Sequence, residues 1–234
     1  ILFNCVASGA TGSNLISPIH LADRKREKIR LSVNWTPTDP LTLQFFLDDA
    51  NDSYTGRDGS GLGPRSGDAR NYSLDATYRF SPNWQGNAWY NRNDTRADQS
   101  TCVGASATGV CPATAANPIW NASLRNVSDS FGVGLSGKPN GKMEIGADLN
   151  YSDITDSYLQ MAAAPATSVA ASALPEVVTR LTRLNVFGKF ALEKNSGIRL
   201  DYIYDRFSTS DWTWTTWRYA DGTRLTQDPV QKVN

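Results

Sequence analysis

The sequence predicts an all-β fold, an antiparallel transmembrane β-barrel of which about eight strands are present. Three observations predict it. Apolar and polar residues alternate in eight stretches, the period of a β-strand with two unlike faces. Tight Pro/Asn/Gly turns join these stretches in pairs, while the connections between pairs are long. No run approaches the ~20 apolar residues of a membrane helix, and the longest small-residue stretch is broken by Pro165 and Pro175.

The first strand sets Ile29, Leu31, Val33 and Trp35 against Arg30, Ser32 and Asn34, and Thr36 to Pro40 turn the chain. Leu41, Leu43, Phe45 and Leu47 then oppose Thr42, Gln44, Phe46 and Asp48. In the third, Tyr72, Leu74, Ala76, Tyr78 and Phe80 face away from Ser73, Asp75, Thr77 and Arg79. Past Ser81-Pro82-Asn83, the fourth sets Trp84, Gly86, Ala88 and Tyr90 against Gln85, Asn87, Trp89 and Asn91. The fifth carries Phe131, Val133 and Leu135 opposite Ser130, Gly132, Gly134 and Ser136, before the turn Lys138 to Gly141. Met143, Ile145, Ala147, Leu149 and Tyr151 of the sixth oppose Glu144, Gly146, Asp148 and Asn150. The seventh sets Leu184, Val186, Phe190 and Leu192 against Arg183, Asn185 and Lys189, with Phe187 an exception on the polar face. After Lys194 to Gly197, the eighth sets Ile198, Leu200, Tyr202 and Tyr204 against Arg199, Asp201 and Asp205.

One end of this sheet is trimmed and the other elaborated, as in outer-membrane barrels with short periplasmic turns and long external loops. Nine to ten residues at ~3.3 Å each, tilted by ~45°, span roughly 22 to 25 Å, the height of a barrel's apolar band. No amphipathic helix is available to cover the apolar face, whereas lipid would cover it. On this reading Leu31, Leu43, Leu74, Val133, Ile145, Val186 and Leu200 face lipid. Trp35, Tyr72, Phe80, Trp84, Tyr90, Tyr151, Tyr202 and Tyr204 fit interfacial girdles. The competing fold is a soluble β-sandwich.

The totals would ordinarily read as a soluble globular protein, but they do not exclude membrane strands. Hydrophobic residues are 40% of 234 and mean hydropathy is −0.42, which alternation keeps low. Lys and Arg number 23, as do Asp and Glu, so the basic footprint of a nucleic-acid partner is absent. The chain opens without a signal-peptide pattern and ends in DPVQKVN, which reads as the start of a ninth strand. We therefore expect residues 1–234 to be a single segment of a larger, wide barrel, with residues 1–25 the remnant of an external loop. Sequons such as those at Asn34, Asn71, Asn126 and Asn150 fall in or at the ends of strands and read as chance.

The polar face is expected to line the lumen through Arg30, Gln44, Asp75, Arg79, Asn87, Glu144, Asp148, Lys189, Arg199 and Asp201, with Asp48, Arg183 and Asp205. It carries no catalytic constellation: G-x-S-x-G and H-E-x-x-H are absent, and the single histidine, His20, stands in a loop. Asp48 and Asp49 point to opposite faces, which argues against a shared acid and base. We expect no enzyme, no catalytic residue and no metal. One weaker candidate is residues 48–61, DDANDSYTGRDGSG, an acidic Gly-rich loop suited to Ca²⁺ though lacking EF-hand spacing. The stretch AAAPATSVAASALP reads as a mobile external loop.

The stretch DWTWTTWRYADG concentrates Trp212, Trp214, Trp217 and Tyr219. Counted from Ile198, Trp212 lies about 33 Å up the strand, beyond an apolar band of about 25 Å, so the cluster is expected at the external rim; a belt on a steeply tilted strand is the alternative. Together with SLDATYRFSPNWQGNAWYNRND and KMEIGADLNYSD, the region RLDYIYDRFSTSDWTWTTWRYADGTRLTQDPVQKVN resembles the C-terminal part of the MtrB/PioB family of outer-membrane proteins. The resemblance covers residues 26 to 234 and is most specific from Asp211 to Lys232. It implies a large barrel that sheathes a periplasmic multihaem c-type cytochrome and supports electron transfer across the bacterial outer membrane. This chain has no C-x-x-C-H, so the haem would belong to the partner and no cofactor to the chain itself. The usual terminal strand ending in an aromatic is missing, as is the family's N-terminal part. A porin or solute transporter and a soluble carbohydrate-binding sandwich using the tryptophans are the other functions considered.

Cys102 and Cys111 bracket a Gly/Ala/Thr loop, a spacing that suits a local disulfide in an oxidising compartment, with Cys5 left over; two unrelated thiols are the alternative. Non-reducing peptide mapping of natively purified protein should find the 102–111 pair joined, and its loss should leave assembly intact, since closing so short a loop adds only ~2 to 3 kcal/mol.

Overall fold

A computed structural model of the chain describes residues 22–56, 63–102, 119–162, 172–193, 195–211 and 230–233. Its strands are β1 (Ala22–Thr38), β2 (Leu41–Gly56), β3 (Gly63–Ser81), β4 (Trp84–Cys102) and β5 (Ile119–Asn140). There follow β6 (Met143–Ala162), β7 (Ser172–Ala173), β8 (Val177–Glu193), β9 (Ser196–Ser210) and β10 (Val230–Val233). They form one antiparallel sheet in chain order, with β10 beside β9 and the short β7 on β6 outside the main path. Each long strand pairs with its sequence neighbour because a tight turn or a single connection returns the chain alongside itself.

The register keeps the two faces separate across all eight long strands. Val33 stands opposite Phe45, Phe45 opposite Leu74, Leu74 opposite Tyr90, Tyr90 opposite Phe131, and Phe131 opposite Tyr151. A slip of one residue anywhere would send an apolar row to the polar face, so the alternation itself fixes the pairing. Among the exposed large hydrophobic residues, all but Ile203 share the one face. Ala50 is the sole buried hydrophobic residue among the described ones. A sandwich would bury this face against a second sheet. Here the described residues form one layer, so the competing sandwich fold is set aside in favour of the expected barrel wall.

The eight long strands exceed the nine to ten residues expected, from 15 in β9 to 22 in β5. The excess lies at the long-loop end, where charged pairs replace the apolar residues. Residues 22–25, expected in a loop, pair with residues 53–56 as part of β1. Ser172 and Ala173, expected in a mobile loop, pair with Gln160 and Leu159. The ninth strand expected near the end of the sequence is β10.

The apolar band drifts across the hydrogen-bond ladder. Its upper edge is Ile29 on β1 but Tyr204 on β9, and the row through Tyr204 runs back by Leu184, Leu149, Val133, Ala88, Ala76 and Leu43 to Trp35. That shift, from Ile29 to Trp35 along β1 over seven strand steps, is about 20 Å of rise against about 34 Å of width. The strands thus cross the band at roughly 30° to its normal, a smaller tilt than the ~45° expected and near that of membrane barrels.

An arginine scan separates the faces. Ile145→Arg and Val133→Arg should each cost about 2 to 4 kcal/mol in vesicle-based urea unfolding, and Asn87→Arg much less. Equal costs at Ile145 and Asn87 would contradict the assignment.

Candidate functional site

The polar face is a lattice of cross-strand ion pairs set by the register. Arg183 stands opposite Asp205 and donates two hydrogen bonds of 2.7 and 2.9 Å. Lys189, opposite Glu144, reaches it at 2.9 Å. Arg199 instead pairs along its own strand, with Asp201 at 2.6 Å. Phe187, the aromatic exception, lies between Lys189 and Arg199, whose charges sit 5.3 and 5.0 Å from its ring centroid. Such contacts satisfy the ring's negative face and leave it no need of a hydrophobic core.

At the other side of the sheet, Arg24 and Arg26 both fork onto Asp52, with contacts of 2.7 to 2.9 Å. Lys28 and Arg30 converge on Asp48 at 2.7 and 2.9 Å, and Arg30 also stacks over Phe46. Three of these cations, Arg24, Arg26 and Lys28, were not expected. Their neighbours Asp23, Lys25 and Glu27 are also charged, so no apolar alternation marks the upper half of β1 as strand.

Between these two charged regions the wall is mostly neutral. Gln44 stands opposite Asn34 and Asp75, and Asp75 accepts a 2.8 Å hydrogen bond from Ser73. Three polar-face glycines are covered by their neighbours: Asn87 and Asp148 close over Gly134, Trp89 and Asn150 over Gly132, and the Phe187 ring over Gly146. The side chains lie flat along the sheet instead of projecting from it. Near the short turns, Arg79 and Lys138 border a depression of about 330 Å³ with Ser81, Asn83, Gln85, Ser136 and Glu144.

The stretch considered for Ca²⁺ is described only in part, since residues 57–61 lie outside the described residues. Residues 48–56 belong to β2, so Asp48 and Asp52 face the cations of β1, while Asp49 points to the opposite face and accepts from Arg70 at 3.2 Å. Above the apolar band that opposite face also pairs Arg92 with Asp129, Arg125 with Asp94 and Arg180 with Asp153. There, outside the membrane-spanning part, two hydrogen bonds from Arg125 hold the Asp94 carboxyl below its ordinary range. Cys102 ends β4, whereas Cys5, His20, Cys111, Trp212, Trp214, Trp217 and Tyr219 lie outside the described residues.

A single-layer tilted sheet, apolar on one face and ion-paired on the other, defines the wall of a transmembrane β-barrel. The family described as "Putative outer membrane beta-barrel porin, MtrB/PioB" matches residues 3–228, and the chain belongs to it. The match starts well before residue 26, where the sequence resemblance was expected to begin. No curated protein matches the chain. Among solved structures it is similar to BauA, the ferric preacinetobactin receptor from Acinetobacter baumannii, at 10% identity and TM-score 0.54 over 80% of this chain. It is also similar to the copper transporter OprC, at 12% identity and TM-score 0.59 over 90% of this chain. The chain spans 37% and 33% of those two proteins, about a third of each. At such identity the likeness is one of fold. Fold and family together place the protein in the bacterial outer membrane.

The glycines give a local test. An alanine Cβ at Gly132 would collide with Trp89 and Asn150, so Gly132→Ala should cost about 1 to 3 kcal/mol and shift the tryptophan emission on moving Trp89. Gly188→Ala, on the apolar face with open space around it, should be close to neutral in the same unfolding assay.

Proposed function

We propose that this wall forms part of a sleeve that sheathes a multihaem c-type cytochrome and supports electron transfer across the outer membrane. The observation that carries the reading is membership of the MtrB/PioB family. On this reading the apolar face meets lipid and the polar face lines the lumen, with Arg30, Gln44, Asp75, Arg79, Asn87, Glu144, Asp148, Lys189, Arg199 and Asp201 turned toward the occupant. Flat-lying side chains and cross-strand ion pairs offer a hydrated surface against which a folded protein can rest. Lipid outside and protein inside would keep the haems apart from bulk membrane while the partner carries the electrons. The chain's part is to hold and insulate, which calls for no catalytic group and no bound cofactor of its own.

A porin is the second reading, supported by the family's own description as a barrel porin. In that case the same polar face would meet water and small solutes. Full-length protein purified from native membranes should carry a c-type haem Soret band that persists through size exclusion. Haem-free protein that makes liposomes permeable to small solutes would instead favour the porin.

A further inference from the structure

The polar face of β1 carries more positive charge than its described neighbour neutralises. Arg24, Arg26, Lys28 and Arg30 share only Asp52 and Asp48. Elsewhere on that face Arg183, Lys189 and Arg199 each have a carboxylate of their own. The other edge of β1 has no partner strand among the described residues, although the strand crosses the apolar band from Ile29 to Trp35. Backbone N–H and C=O groups along an open edge have no water to bind in hydrocarbon, so a membrane sheet requires a neighbour there.

We propose that the open edge of β1 pairs, antiparallel, with a further β-strand bearing two or more carboxylates at alternate positions opposite Arg24 to Arg30. Its other face carries apolar residues level with Ile29 to Trp35. Alternate residues on a strand lie about 7 Å apart on one face, and residues directly opposite on adjacent strands have Cβ atoms about 5 Å apart. A strand with acids at that interval would meet the basic ladder one to one. The sequences of the undescribed segments lack that charge pattern. Residues 1–21 contain no Asp or Glu, and Asp58, Asp221 and Asp228 are too far apart in sequence to form an alternating pair. The partner strand is therefore another stretch of polypeptide, defined by its charge pattern. The inference does not depend on whether the lumen holds a cytochrome or solute.

Zero-length carbodiimide coupling of the full-length protein in outer-membrane vesicles tests this, because it joins a lysine amine to a carboxylate in direct contact. Lys28 of the unaltered protein should be found linked to an Asp or Glu outside residues 41–56 as well as to Asp48. Asp48→Asn should raise the yield of the new link severalfold, and Arg30→Lys should add a second link two residues along the same new strand. Links confined to Asp48 and Asp52 would overturn the proposal, as would links to Asp201 or Asp205, which would mean that the sheet closes on β9. Should either variant fail to assemble, the links formed by Lys28 in the unaltered protein decide between these outcomes.

Discussion

Every other feature of this chain depends on an antiparallel hydrogen-bond ladder whose register shifts only beside the tight turns and near Pro64, so that side-chain parity holds across the apolar band. In hydrocarbon each backbone amide and carbonyl must find its partner in a neighbouring strand, because neither water nor a second layer can serve. The constraint explains why consecutive strands pair, why one row of outward residues stays apolar from β1 to β9, and why almost nothing is buried in the usual sense. The hydrophobic effect acts here between the sheet and its surroundings. Inside the sheet, cross-strand hydrogen bonds and ion pairs perform the ordering that a core performs in a soluble domain.

The same ladder organises the polar face. Because strands lie about 4.8 Å apart, an arginine or lysine can reach an acid directly opposite it, as Arg183 and Lys189 do with Asp205 and Glu144. Where the wall is uncharged, glycines let the large side chains of neighbouring strands lie flat, with Trp89 over Gly132 and Phe187 over Gly146. A projecting tryptophan would narrow the interior, whereas a flat one thickens the wall by little more than a ring. A face so arranged suits a large occupant, which links the packing at single glycines to the sleeve proposed for the whole.

Above the apolar band the chemistry changes while the fold does not. Asp49 with Arg70, Arg125 with Asp94 and Arg180 with Asp153 continue the ladder on the outward face once lipid tails no longer cover it. These pairs tie adjacent strands together where water competes for backbone groups, so they extend the sheet beyond the membrane. Exposed ion pairs of this kind contribute modestly one by one. Their value lies in number and in the continuity of register they maintain toward the long connections.

The sequence by itself determined the strands within the apolar band, the tight turns and the faces. Period-two alternation from Ile29 to Trp35 or from Met143 to Tyr151 has one physical reading once no helix can cover the apolar side. It did not reveal the upper halves of the strands, since Asp23 to Lys28 are charged on both faces and periodicity needs a contrast between faces. Nor could it show that Asp48 and Asp52 are engaged by β1, because acidic residues near glycines read locally as a loop, and only pairing with a distant strand makes them ladder rungs. Tertiary structure decided the strand lengths, the roughly 30° tilt, the covering of the glycines and the surplus of cations on β1. Those properties belong to the register between strands, which sets who stands opposite whom, and one strand's sequence states only which way its own side chains point.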